Sequence, residues 1–260
     1  MMRVGFVGLG KQGAPIAERL LAAGHPTTLW ARRAEALERF LTRGAAVAPD
    51  LPALGRASDA AVRDVCLGDG GLLGGMAPGA LLVIHGTVSP ETCRVVARHA
   101  AERGVAVTDA PVSGGAAAAR EGRLTVMAGG DAATIDACRP VFSAFAAQVF
   151  HMGALGAGQA AKALNNTLML ANLAALHDTL ELGGVLGLDR AVLLEVLRAS
   201  SGDSFAADAY GRAGGLAGFA RGARLLAKDM GILEAMAREA GGDPAALCET
   251  GRRFLAFFDD

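Results

Sequence analysis

A short apolar run at residues 3–7 breaks into glycines and reads as a buried parallel strand. Apolar residues at helical spacing follow over 14–23 (Ile16, Leu20, Leu21), and Gly24 closes that helix. Residues 27–30 then read as a second strand, 34–42 as a second helix closed by Gly44, and 45–48 as a weak third strand. A stronger strand falls at 79–85. It leads into a helix over 90–103, with Ser89 as N-cap and Pro90 at the first helical position. Further strands are expected at 105–108 and 124–128.

Strands and helices alternating at this length predict a parallel sheet covered on both faces. After about His151 the pattern changes to one long helix over 157–186, with no convincing strand beyond it. The expected architecture is therefore an α/β Rossmann-type parallel-sheet domain (1–152), followed by an all-α domain (153–260) joined to it by the long helix. Residues 60–67 are readable in two ways. Their text suits a helix, but a strand there would preserve the alternation, with Arg63 and Asp64 in its middle.

Composition narrows the function. With 52% hydrophobic residues, disorder is not a serious option, and a net charge of −1 lacks the footprint of a nucleic-acid binder. Cys66, Cys93, Cys138 and Cys248 are scattered with no CxxC pair, which suits reduced cytoplasmic thiols rather than a disulfide framework or metal site. The N-terminal apolar stretch lacks a continuous signal-peptide core, and residues 164–176 are too short and asparagine-interrupted to span a bilayer. A soluble, cytoplasmic protein without membrane or nucleic-acid partners is expected.

The loop after the first strand, Gly8-Leu9-Gly10-Lys11-Gln12-Gly13, is GxGxxG at a strand-to-helix junction. The first glycine permits the turn, the second lets the backbone approach a pyrophosphate, and the third lets helix and strand pack closely. This predicts dinucleotide binding. At the end of the second strand, where NAD sites usually carry an acid, the chain reads Trp30-Ala31-Arg32-Arg33, with no acid before Glu35. Arg32, with Arg33 beside it, is placed to grip a 2′-phosphate, so NADP(H) is expected in preference to NAD(H).

Four segments, in order, resemble the β-hydroxyacid dehydrogenase family, which includes 3-hydroxyisobutyrate dehydrogenases and tartronate semialdehyde reductases and is related to 6-phosphogluconate dehydrogenase. They are Gly5-Phe6-Val7-Gly8-Leu9-Gly10, Asp109-Ala110-Pro111-Val112-Ser113-Gly114-Gly115, Gly158-Gln159-Ala160-Ala161-Lys162-Ala163-Leu164-Asn165-Asn166 and Lys228-Asp229. The resemblance implies that Lys162 is the general acid/base, Asn166 its partner, and Ser113, Gly114 and Gly115 the binding site for a small carboxylate substrate. It implies that Thr87 lies near the nicotinamide, that Lys228 closes over the cofactor or substrate, and that Asp229 is structural. The chemistry fits these residue types. Lys162 and Asn166 share a helical face, and a lysine whose pKa is lowered from about 10.4 toward roughly 7–8 can exchange a proton with a carbonyl oxygen as hydride moves.

The chain departs from the family pattern in three ways. Material between Asp59 and Gly79 is short by several residues, and with it a fourth strand; Gly86 replaces a usual serine; and the helical part lacks the family's closing segment. The last departure would expose apolar surface that a homodimer buries. Three functions remain open: a dehydrogenase or reductase of a small β-hydroxyacid or its semialdehyde, a catalytically impaired dinucleotide-binding dimer, and an imine reductase. The lysine at position 162 counts against the last.

Overall fold

In the computed structural model, residues 2–31, 33–48, 59–68 and 71–258 are described. The chain divides into two compact units, residues 1–162 and 163–260.

The first unit runs β1 (Val4–Val7), α1 (Gly13–Ala22), β2 (Thr27–Trp30), α2 (Glu35–Leu41), β3 (Ala46–Val47), α3 (Asp59–Leu67), α4 (Leu72–Gly75), β4 (Leu81–Ile84) and α5 (Pro90–Ala101). It continues through β5 (Ala106–Asp109), β6 (Val112–Ser113), α6 (Gly115–Glu121), β7 (Leu124–Gly129), α7 (Ala132–Phe142) and β8 (Ala146–Gly153). Residues 59–67 are helical, which resolves the two readings of 60–67 in favour of the helix. Ser89 caps α5 by accepting from the Thr92 amide at 3.2 Å, with Pro90 in its first turn.

β1, β2 and β3 pair in parallel, as do β4 with β5 and β7 with β8. Within this parallel-sheet domain β7 runs antiparallel to β5 and β6. Only ten residues, 114–123, separate β6 from β7, and they hold the short helix α6. That is too little for the dozen or more residues of a parallel crossover. The strands form two sheets, β1-β2-β3 and β4-β5-β7-β6 with β8 beside β7, and among the described residues no pairing joins β1 to β4. The usual order 3-2-1-4-5-6 places a fourth strand beside β1, between it and the strand that here is β4, and among the described residues no strand falls between β3 and β4. The halves nevertheless share one core. Ile16 and Leu20 of α1 pack with Leu124, Val126, Phe142 and Phe145, flanked by Val4 and Phe6 from one sheet and Leu81 and Val83 from the other.

The second unit continues α8 (Ala157–Val185), which begins in the first, and adds α9 (Arg190–Arg198), α10 (Phe205–Arg212), α11 (Ala220–Glu239) and α12 (Ala245–Leu255), with 3-10 turns at Leu216–Phe219 and Ala256–Phe258. Its core gathers Leu170, Leu173, Leu180, Tyr210, Leu233, Cys248 and Phe254. All four cysteines are buried and unbridged. Among the described residues, no helix is long and apolar enough to cross a membrane and no cluster could hold a metal ion.

Candidate active site

β1 delivers the chain directly into the glycine loop, and α1 begins at Gly13. A Cβ on Gly13 would lie 2.0 Å from the Gly8 carbonyl oxygen, so no other residue fits between the strand end and the helix start. Gly8 itself has φ +95°, a backbone region that side chains disfavour. No side chain caps α1 and its first turn holds no acid. In its first turn Ala14 donates to the Gly10 carbonyl at 3.1 Å and Pro15 has no amide hydrogen. It is therefore the positive end of the helix, with the glycine loop before it, that faces an external anion, and the cradle fits a dinucleotide pyrophosphate. Leu9 is half-buried and Lys11 exposed on this loop. Arg33 is exposed at the end of β2, while Arg32 lies outside the described residues.

At the C-terminal end of β4, residues 85–89 form the loop containing half-buried Thr87. His85 Nδ1 donates to the Ala110 carbonyl at 2.6 Å, and since a carbonyl only accepts, the neutral ring carries its proton there. The ring packs edge-on against Phe142 and Phe145, with centroids 5.9 and 5.8 Å away. Desolvation lowers the His85 pKa, only partly offset by the bond to Ala110.

β5 ends at Asp109, and the chain then turns through Ala110 and Pro111 into Ser113, Gly114 and Gly115 at the start of α6. Ser113 is half-buried, and Gly114 and Gly115 adopt φ +121° and +73°. Asp109 is fully buried, and its role was not read from the sequence. Oδ1 accepts from the Gly156 amide at 2.6 Å and Oδ2 from the Gln159 amide at 2.7 Å, so this strand-end carboxylate caps α8. Burial raises the Asp109 pKa, against the lowering effect of the amides of Gly156, Gln159 and Gly158. Gly158 makes room for it: a Cβ there would sit 2.7 Å from Oδ2 and 2.2 Å from the Met127 carbonyl oxygen.

Gln159 follows, fully buried rather than facing a cleft. Its Nε2 donates to the Gly86 carbonyl at 2.9 Å, and its Oε1 accepts from the Val88 amide at 3.0 Å. Lys162, three residues on, is half-buried. Asn166, one turn further along α8, is buried: Nδ2 donates to Asp229 Oδ2 at 2.6 Å, and Oδ1 accepts from Asn165 at 3.2 Å. Asp229 is only 5% exposed, and Lys228 Nζ lies 2.9 Å from its Oδ1, an ion pair outside hydrogen-bond angles. The structure thus ties Thr87's loop and the strand leading to Ser113 onto the first turn of the Lys162 helix. Separately, it joins Asn166 to the Lys228-Asp229 pair.

Known proteins resemble the chain along almost its whole length. Residues 3–153 match the model of the NAD binding domain of 6-phosphogluconate dehydrogenase, and residues 156–258 that of the NAD-binding region of NADP-dependent 3-hydroxyisobutyrate dehydrogenase. The chain is 36% identical to an NAD-dependent L-serine dehydrogenase and 37% identical to a 3-hydroxyisobutyrate dehydrogenase, both of Pseudomonas aeruginosa. Each match covers 92% of this chain and 86% of the relative. The structure of a Mycobacterium tuberculosis 3-hydroxyisobutyrate dehydrogenase with L-serine superposes with a TM-score of 0.83 at 28% identity, covering 100% of this chain and 94% of that one. A glycine loop shaped for a dinucleotide, a strand-end carboxylate capping the lysine-bearing helix and likeness along almost the whole length lead to one assignment: the chain belongs to the β-hydroxyacid dehydrogenase family of dinucleotide-dependent oxidoreductases.

Proposed function

We propose that this chain interconverts a small β-hydroxyacid and its semialdehyde, with Lys162 as general acid/base and NADP(H) preferred over NAD(H). The observation that carries the reading is the Asp109 carboxylate. It fixes the start of the Lys162 helix to the strand that runs on into Ser113–Gly115, so proton transfer and carboxylate binding share one rigid frame. The relatives act on serine and 3-hydroxyisobutyrate by name, and both are small carboxylates with a hydroxyl one carbon beyond the α-carbon.

A bound nicotinamide supplies the hydride acceptor for oxidation and the hydride donor for reduction. The protein holds and deprotonates the substrate. Ser113 with the amides of Gly114 and Gly115 holds the carboxylate. Neutral Lys162 Nζ takes the hydroxyl proton as the carbinol hydrogen leaves with its electron pair, and returns a proton to the carbonyl oxygen in the reverse direction. Asn166 has one amide hydrogen committed to Asp229, and its second is the one offered to the substrate oxygen. Thr87 lines the nicotinamide side, and Lys228, in its pair with Asp229, closes over cofactor or substrate.

Preference for NADP(H) rests on Arg32 and Arg33 standing where an acid would favour NAD, even though one relative is NAD-dependent by name. Fluorescence titration with NADPH and NADH decides this: tighter NADH binding would reverse the preference. Lys162→Ala should lower kcat by about 10²–10⁴-fold on a good substrate. Turnover left intact by that substitution would end the mechanism.

A second reading is a dinucleotide-binding protein with impaired catalysis. It is favoured by one observation, the absence of pairing between β1 and β4 among the described residues. Tight NADPH binding with no turnover on a broad semialdehyde panel would establish it over the first. In either reading the chain works as a homodimer, supported by the apolar surface of α8 and α9.

A further inference from the structure

The loop at residues 85–89 is held by three long-range contacts, and two of them come from one side chain. His85 is tied to Ala110, while Gln159 receives the Val88 amide and donates to the Gly86 carbonyl. These two backbone groups flank Thr87 on either side. A primary amide presents a donor and an acceptor in one plane, so Gln159 meets the loop as the peptide edge of a neighbouring strand would. Its own amide is locked by Asp109, so neither end of the contact is left to drift.

A leucine would fill a similar volume but leave the buried Val88 amide without its acceptor, at a cost of about 1–3 kcal/mol, so glutamine serves stability as well as position here. What glutamine adds is a fixed relation between two segments, residues 86–88 and the turn of α8 that carries Lys162 three positions later. We infer that Gln159 is a positioning residue that sets the Thr87 loop against the Lys162 helix, so that hydride and proton transfer occur at one registered distance. The inference rests on the reading of Lys162 as the general acid/base. Gln159 touches neither substrate nor cofactor in this scheme and acts only through the segments it joins.

The test compares Gln159→Leu, Gln159→Glu and Lys162→Ala with the wild-type chain. In Gln159→Leu, kcat should fall about 10²-fold, the cost of a misplacement near 1 Å, while KM and the NADPH dissociation constant stay within about threefold. Gln159→Glu turns the donor facing Gly86 into a carboxylate oxygen, so it should be as slow at pH 8. It should recover as the pH falls, because a protonated carboxyl donates to Gly86 while its other oxygen accepts from Val88. The wild-type chain shares the pH dependence of Lys162, so the recovery is read as a rise in the ratio of Gln159→Glu to wild-type kcat as the pH falls. Native-state hydrogen exchange gives a readout free of turnover: the Val88 amide should exchange at least about tenfold faster in Gln159→Leu, with the amides of β4 unchanged.

An unchanged kcat per folded molecule in Gln159→Leu, or a Gln159→Glu enzyme with a wild-type pH profile, overturns the inference. So does unaltered exchange at Val88. Should Gln159→Leu fail to fold, Gln159→Glu decides alone by its pH profile. The two levels separate cleanly. Loss of activity in Lys162→Ala with full activity in Gln159→Leu removes the positioning role only, whereas a fully active Lys162→Ala removes the reading beneath it.

Discussion

Gly13 shows how much a single position decides. Its missing side chain is what lets α1 start against the end of β1, since a Cβ would stand 2.0 Å from the Gly8 carbonyl oxygen, a backbone atom that cannot swing away. The same close approach sets the positive end of α1 against the glycine loop, where a phosphate would sit. Gly13→Ala should therefore act twice: strain of about 1–3 kcal/mol in the packed unit, and at least about tenfold weaker NADPH binding, because the helix start must move. Thermal melting and fluorescence titration read the two effects separately. An unchanged dissociation constant would mean that the pyrophosphate does not sit on this loop. Asp109 and Gln159 make the complementary point. Each contributes by what it holds in place, and each stands at the C-terminal end of a strand or the first turn of a helix, where such leverage is greatest.

The loop between β4 and α5 carries a charge-state requirement. His85 is partly buried against Phe142 and Phe145, its neutral ring donates to Ala110, and burial holds its pKa below the ordinary histidine value. A base whose pKa is depressed by folding binds fewer protons folded than unfolded. Its contribution to stability is thus complete above about pH 6.5, the unfolded value, and is lost as the pH falls through it. Urea unfolding between pH 7.5 and 5 should show wild-type stability declining more steeply than that of His85→Phe, by at most about 1.4 kcal/mol per pH unit. Parallel slopes for the two proteins would show that His85 is not the titrating group. At this scale several elements were readable from local signals, whereas α7 and α9, though capped by Asp131 and Asp189, were not placed. The Ser89-Pro90 start of α5, the glycine loop and nearly the full span of α8 follow from caps and periodicity. β6 has two residues, too few for a pattern. β8 has exposed Phe150 and Met152 and does not alternate. α6 is alanine-rich and shows no apolar stripe. The bonds of Asp109 and Gln159 span 47 to 73 residues, so nothing near either residue announces them.

For the molecule as a whole, two surfaces lack the cover that the fold would ordinarily provide. Among the described residues, one is the unpaired edge of β1, where Gly5 is exposed and Val4 and Val7 are only half-buried although β1 would normally be a central strand. The other is a set of apolar side chains on the helical unit: Leu182 and Val185 at the end of α8, Leu186 and Leu188 just beyond it, then Val192 and Val196 on α9, all more than half exposed, with Val185 at 82%. On α9 the opposite side chains Leu193, Leu194 and Leu197 pack into the core, so Val192 and Val196, one turn apart, form a second apolar face that the chain itself does not bury. A monomer exposing this many large apolar side chains would be prone to aggregate, and a twofold pairing of this surface with its own copy would cover it with one interface. Sedimentation should accordingly give a mass of roughly twice the 26.3 kDa of one chain. Val185→Glu with Val192→Glu should shift it to the monomer, because each partner would then have to desolvate carboxylates against apolar surface. Neither residue belongs to the proposed chemistry, so NADPH binding by the monomeric variant should persist. A wild-type chain that sediments as a monomer at tens of micromolar would reject the pairing, and a double variant that stays dimeric would move the interface to another face.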